Sequence, residues 1–282
     1  MNVAYLVAAL GSVLYGSADF FGGLAAKRVS AAVVSFFSSL AGLAVLLVGL
    51  PFTPGAPHSS DLLWGVAAGA SGALGATLIY RALAIGPMSV ASPVLCIVAL
   101  CLPVIVGFAL GERPLPIALI GIALAPIAVA LLAQSGSPED APGRTAGRRV
   151  LWPAILAGLA AGFFLVLIAR VRIGSGLLPL IVSRCTALTA LGLWLAIRRE
   201  SAIPSAPVRT VTLSAGALDS LSTIAYVAAV QRGSLAVVSV LVSLAPATSV
   251  LLARAVLAER WSVPQRWGLA LALGAGVCLS LG

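Results

Sequence analysis

Ten apolar runs, each about twenty residues long, alternate with short polar connections along the whole chain. A helix rises 1.5 Å per residue, so a run of about twenty residues matches the roughly 30 Å hydrocarbon core of a bilayer. Helices are required because lipid offers backbone groups no hydrogen-bond partners, and the alternating pattern of a barrel strand is absent from these runs. Apolar residues make up 61% of the 282 residues and charged residues 9%, which excludes an ordinary soluble globular protein. The sequence therefore predicts an all-α integral membrane protein with ten transmembrane helices. The predicted spans are residues 3–24, 31–51, 61–84, 87–110, 115–134, 150–170, 176–197, 209–230, 234–258 and 263–281.

The second half of the chain repeats the first. A shift of 147 residues places LGER at 110–113 on LAER at 257–260, and a shift of 143 places ADFF at 18–21 on AGFF at 161–164. Each half holds five spans, an odd number, so the second copy must cross the membrane in the opposite sense. We therefore expect two inverted five-helix repeats, residues 1–134 and 150–282, joined by a hydrophilic linker at 135–149.

The sequence lacks the residues that several other classes of protein need. The net charge of +9 comes from Arg and Lys residues that stand singly or in pairs between spans, which is typical of membrane orientation and excludes a nucleic-acid interface. The four cysteines fall inside spans without a CxxC motif, so neither a metal site nor a disulfide framework is expected. There is no Ser-His-Asp set and no phosphate loop, so we expect no enzyme and no cofactor.

Several motifs resemble the drug/metabolite transporter superfamily, EamA type. These are YGSADFF at 15–21, the LGER and LAER motifs that precede a Gly-rich closing span in each half, and the bipartite ten-span plan. The resemblance implies a ten-helix secondary transporter with a central cavity, usually an exporter of amino acids, metabolites or drugs, that works as a monomer or weak homodimer. Tyr15 stands where the family usually has Trp, and Ala99 where it usually has Pro; Pro246 keeps that proline in the second half.

Four charged residues lie more than three residues inside the ends of predicted spans, and such a residue costs about 2.5 to 3.5 kcal/mol near the helix centre. Asp219 and Arg184 lie near mid-span in neighbouring helices, Asp19 lies nearer one membrane face, and Arg254 is close enough to a span end to reach the interface. In one hypothesis Arg184, Asp219 and Asp19 face a cavity, where Arg184 holds a carboxylate or phosphate and an Asp exchanges a proton or binds an amine. In the other, Arg184 and Asp219 form a fixed ion pair that only ties two helices together.

Polar residues near these charges complete the set of candidates for the cavity. Tyr15 and Ser17 precede Asp19, Thr77 and Tyr80 end the third span, and Tyr226 pairs with Tyr80 in the repeat. The alternative for the tyrosines is an interfacial aromatic belt.

Prolines interrupt corresponding spans of the two halves. Pro93 and Pro103 lie in the fourth span and Pro246 in the ninth, which predicts broken helices beside a binding site or, alternatively, simple kinks. Two Glu-Arg pairs follow the same spans, at 112–113 and 259–260. They are expected to cap helix ends in the headgroup zone, with a gate latch as the alternative.

Taken together, the sequence predicts a multi-pass transporter of the plasma (inner) membrane for a small molecule such as an amino acid or amine, with proton coupling as one expectation. A lipid-carrier flippase of the same superfamily and a non-transporting membrane scaffold are the alternatives. Eleven Arg and Lys residues on the linker side against four on the other place the linker in the cytoplasm by the positive-inside rule, whereas the resemblance implies cytoplasmic termini.

Overall fold

A computed structural model describes residues 3–85, 88–132, 144–199, 204–257 and 262–281, with side chains at all of these except 79–85, 88–93 and 144–151. The described residues form α-helices and connecting turns, without a β-strand among them. The helices are α1 (Val3–Ala26), α2 (Ala31–Gly49), α3 (Ser59–Ile85), α4 (Met88–Ala109), α5 (Pro116–Leu132), α6 (Arg144–Ile168), α7 (Leu178–Arg198), α8 (Ala206–Val230), α9 (Leu235–Val242), α10 (Ala245–Leu257) and α11 (Val263–Leu281). The all-α prediction is therefore confirmed.

The predicted spans correspond to these helices with one division. Nine spans are single α-helices, and the ninth is formed by α9 and α10. Among the described residues, five helical segments are long and apolar enough to cross a membrane, and three shorter apolar helices accompany them. The segments are Val3–Ala26, Ala31–Phe52, Leu178–Arg198, Ala206–Val230 and Leu235–Val256.

Proline has different effects in the fourth and ninth spans. The ninth is interrupted by a turn at Ser243 and Leu244, and Pro246 follows as the second residue of α10, where its missing N–H removes no helical hydrogen bond. By contrast, α4 is one helix through Pro93 and Pro103, so the prediction of interruptions at these two prolines is wrong. Membrane helices can continue through proline because neighbouring groups satisfy the freed carbonyls.

Helix α6 begins before the predicted sixth span. Its first residue is Arg144, so residues 144–149 of the predicted linker are helical. A helix can extend beyond the hydrocarbon core into the headgroup zone, and the apolar run alone does not show where it begins. The preceding residues, 133–143, lie outside the described part of the chain.

Helices of one half pack mainly on helices of the other. Helices α1 and α2 both pack on α8, and α3 packs on both α6 and α7. Helices α4 and α9, and α5 and α11, complete the bundle. The two halves therefore share one interlocked core, which buries residues from both.

Close helix contacts occur at glycines. A Cβ on Gly69 of α3 would overlap the carbonyl oxygen of Ser183 on α7, and a Cβ on Gly216 of α8 would overlap that of Ser38 on α2. Only glycine permits backbones to approach this closely, which is how membrane helices gain packing energy. Gly69 and Gly216 correspond at the 147-residue shift of the repeat.

Polarity is distributed as lipid requires. Large apolar side chains such as Ile173, Ile197 and Val48 are exposed at the surface. Hydroxyl groups inside the bundle instead bridge helices: Ser71 donates to the carbonyl oxygen of Ala160 at 2.8 Å, and Ser222 donates to that of Gly11 at 2.9 Å. Such interhelical bonds stabilise membrane bundles, where no hydrophobic force acts between helices.

Candidate substrate cavity

Arg184 of α7 and Asp219 of α8 form an ion pair. The same guanidinium lies 3.4 Å from the Oγ1 atom of Thr223, one turn further along α8. Gly42 of α2 faces the pair, and the Arg184 Nε atom lies 3.5 Å from the position that a Cβ on Gly42 would occupy. The side chains of Arg184 and Asp219 remain 16% and 28% exposed, so the pair is accessible and not sealed in the core.

A cavity of about 1010 Å³ lies between the two halves and contains this pair. Its walls come from α1, α2 and α3 of the first half and from α6, α7, α8 and α10 of the second, with single residues from α5 and α11. Most of the lining is alanine, glycine and larger apolar residues. The polar lining residues are Tyr15, Asp19, Lys27, Ser35, Ser38, Ser39, Ser183, Arg184, Asp219, Ser249, Arg254 and Gln265.

Helix α1 brings two of the sequence candidates into the cavity. Tyr15 and Asp19 are four residues apart, so they lie on the same helix face, and both line the cavity. The Asp19 side chain is exposed, and its carboxylate is near enough to Asp219 to interact with it electrostatically. Ser17 is outside the lining and donates to the carbonyl oxygen of Val13 at 2.8 Å.

The other candidates do not reach the cavity as expected. Thr77 is outside its lining and donates to the carbonyl oxygen of Ala73 at 2.9 Å within α3. Tyr226 is 2% exposed and bridges α6 and α9: its hydroxyl bonds the Leu165 carbonyl oxygen at 3.1 Å and the Ser239 Oγ atom at 2.9 Å. The placement of Tyr226 in the cavity is therefore wrong, because helix packing provides both of its hydrogen-bond partners. The side chain of Tyr80 lies outside the described residues.

The sequence does not mark several of the cavity residues as candidates. Arg254 was expected only at the interface, and Lys27 was counted only as a loop charge, yet both line the cavity near helix ends. A charge near a span end needs no special explanation, so its position in the sequence carries no functional signal. The serines of α2 at 35, 38 and 39 recur on one helix face, which is the signal that could have found them.

The contacts of Glu112 confirm that the Glu-Arg motif at 112–113 caps a helix end. Its carboxylate accepts hydrogen bonds from Ser234 Oγ at 2.7 Å, from Leu235 N at 2.7 Å and from Ala236 N at 2.9 Å. It thus caps the N-terminus of α9 in the other half of the molecule, where the helix dipole favours an anion. The corresponding pair at 259–260 lies outside the described residues. No group of three potential metal ligands occurs among the residues that are described.

The model of the EamA-like transporter family matches residues 2–134. The first half of the chain is therefore similar to the EamA-like transporter family. This family is part of the drug/metabolite transporter superfamily, so the match confirms the resemblance that the motifs carry. It supports a membrane transporter of that superfamily. None of the curated proteins compared with it matches this chain. Among solved structures, one described only as "Crystal structure of protein" is similar over 100% of this chain and 98% of its own, with a TM-score of 0.80 and 17% identity. At that identity the likeness concerns the fold alone.

Proposed function

We propose that this EamA-like protein is a secondary transporter of the plasma (inner) membrane that moves a small metabolite or drug-like molecule by alternating access. The observation that carries the proposal is the cavity of about 1010 Å³ between the halves, which contains both signs of charge within a mostly apolar wall. Its size suits a molecule such as an amino acid or amine, since ligand pockets are commonly about 300–1,000 Å³. Export is the proposed direction.

The exposure of the Arg184–Asp219 pair supports a binding role over a purely structural one. An ion pair that only ties helices together needs no access from a cavity, whereas a binding site must be reached by its ligand. Here both side chains border the cavity and keep part of their surface accessible. A substrate carboxylate or phosphate can therefore compete with Asp219 for the guanidinium, which has several N–H donors to share.

Asp19 supplies the second function of the site. Its exposed carboxylate lines the same cavity as the ion pair, so it is placed to carry a proton or to bind a substrate ammonium group. We propose that Asp19 has this role and that transport is proton-coupled.

An inverted relation between the halves supports alternating access. The contact of Gly121 with Leu279 is matched by the contact of Gly268 with Leu132, and the shift of 147 residues converts one contact into the other. The contact of Gly69 with Ser183 is matched in the same way by that of Gly216 with Ser38, at shifts of 147 and 145 residues. Such reciprocal contacts are expected of two repeats related by a two-fold axis in the membrane plane.

Flux into proteoliposomes tests the proposal. A panel of amino acids, amines, organic acids and lipid-linked sugars separates a metabolite transporter from a lipid-carrier flippase, and absence of any flux above empty liposomes would identify a scaffold. We expect Arg184→Gln and Asp219→Asn to lower flux at least tenfold, while Arg113→Gln, an exposed arginine outside the cavity, leaves it unchanged. Full flux with unchanged pH dependence in Asp219→Asn would remove this residue from the mechanism.

A further inference from the structure

A buried carboxylate joins the two halves far from the cavity charges. Asp61, the third residue of α3, is 1% exposed. It accepts hydrogen bonds from Arg172 Nε and NH2, both at 3.2 Å, and from Ser175 Oγ at 2.9 Å. The backbone N–H groups of His58, at 2.9 Å, and of Arg172, at 3.4 Å, also donate to it. The carboxylate therefore accepts five hydrogen bonds, from donors in both halves of the chain.

The loops that carry these residues also join through their backbones. Ala56 N donates to the Gly174 carbonyl oxygen at 3.0 Å, and Gly55 packs so closely on Gly176 that a Cβ would overlap its backbone. Gly174 and Gly176 have φ of +89° and +64°, which glycine adopts without strain. We call residues 55–61 and 171–176 the clasp.

The clasp lies at the closed end of the cavity. It is on the face where α1 begins and α11 ends, which we call the terminus face, because the clasp loops follow α2 and α6 and precede α3 and α7. The cavity lining reaches helix ends on the opposite face, at Lys27, Ala31 and Gln265. Towards the terminus face it stops at Phe164 and Ser183, still inside α6 and α7.

The matching position on the opposite face is apolar. Shifts of 147 and 143 residues convert Asp61 to Val208 and Arg172 to Val29. Val208 is 5% exposed and packs with Ala25 and Val34, and Val29 packs against this cluster. Among the residues that the structure describes, Asp61 and Arg172 thus form a charged, hydrogen-bonded contact on the terminus face, and the positions that correspond to them on the opposite face form an apolar contact.

We propose that the clasp is the latch of the terminus-face gate and sets a resting state that is closed there and open on the opposite face. This inference rests on the proposed alternating access, because only a transporter of that kind must open at the terminus face. Opening there separates Asp61 from Arg172 and Ser175 and leaves a carboxylate to be rehydrated, whereas the valine contact opposite has no charge to release. The difference in chemistry biases the equilibrium without any ligand.

Accessibility of a single cysteine tests the latch without substrate. Gly23→Cys, made with the four native cysteines replaced by alanine, places a thiol in the cavity lining where no atom lies within 4 Å of the new Cβ. A membrane-impermeant maleimide is applied to vesicles of each orientation, and a separate Phe52→Cys variant identifies the terminus face by its exposed position. We expect labelling from the opposite face only. With Asp61→Asn or Arg172→Gln, labelling from the terminus face should rise about tenfold, because a charge-assisted bond to a buried group is lost.

Arg172 is half exposed, so Arg172→Gln removes no core contact, and the melting temperature of each clasp variant is measured to show that it is folded. Arg170→Gln, an exposed arginine of the same connection, is the matched control and should label as the parent does. Terminus-face labelling that stays at the parent level in both clasp variants would overturn the latch, and so would an equal rise from both faces. Because no substrate is added, either result is distinct from a failure of flux, which would instead refute the proposed transport.

Discussion

Replacing Glu112 by Gln tests whether the cap of α9 stabilises the contact between the halves. One carboxylate oxygen accepts the Leu235 N–H, and the other accepts Ser234 Oγ and the Ala236 N–H. A glutamine retains a single acceptor oxygen and turns an NH2 group towards one set of donors. At least one donor at the helix N-terminus therefore loses its partner.

The size of the effect follows from these contacts. An unsatisfied, largely buried donor costs about 1–3 kcal/mol, and the lost charge at a helix N-terminus adds about 0.3–1 kcal/mol. Glu112 is only partly buried, so we expect about 2 kcal/mol in total. At about 2–4 °C per kcal/mol for a chain of a few hundred residues, the melting temperature should fall by about 4–8 °C.

The assay is thermal unfolding of the detergent-solubilised protein, with Arg113→Gln as the control from the next position. Gly107→Ala gives an independent check, because its Cβ would lie 2.6 Å from Glu112 Oε2 and would displace the carboxylate. If Glu112→Gln and the Arg113→Gln control have the same melting temperature, the cap contributes nothing to stability and the prediction is refuted.

Two further predictions concern packing. Gly69→Ala and Gly216→Ala should each destabilise the protein by about 1–3 kcal/mol, because the new Cβ overlaps a neighbouring backbone carbonyl, whereas Gly23→Ala, with open space around it, should not. Melting temperatures of the three variants would decide, and tolerance of both tight sites would contradict the close approach. Tyr226→Phe should cost about 1–3 kcal/mol by leaving the buried Ser239 hydroxyl without this partner, yet flux should be retained because Tyr226 is outside the cavity; a loss of flux in a stable variant would contradict its structural role.

The helices could be predicted from the sequence because the bilayer fixes their length and composition. The pair Arg184–Asp219 could also be foreseen, since charges near mid-span in adjacent helices require partners. The effect of proline could not. Pro246 marks a break and Pro103 does not. The sequence shows that each proline lacks an N–H group, but it does not show whether neighbouring groups satisfy the carbonyl that the proline frees. Asp61 was overlooked for a related reason: at the edge of a span a charge is ordinary, and only the approach of Arg172 and Ser175 from the other half gives it a role.

The most direct test of the account is whether a transported compound occupies the cavity. In vesicles that contain the Gly23→Cys reporter, the rate of maleimide labelling is measured against increasing concentrations of a compound that the flux panel identifies as transported. We predict that labelling slows and that the half-maximal concentration matches the half-saturation of flux. Full transport of a compound that never protects the thiol would contradict the claim that substrate passes between the two halves.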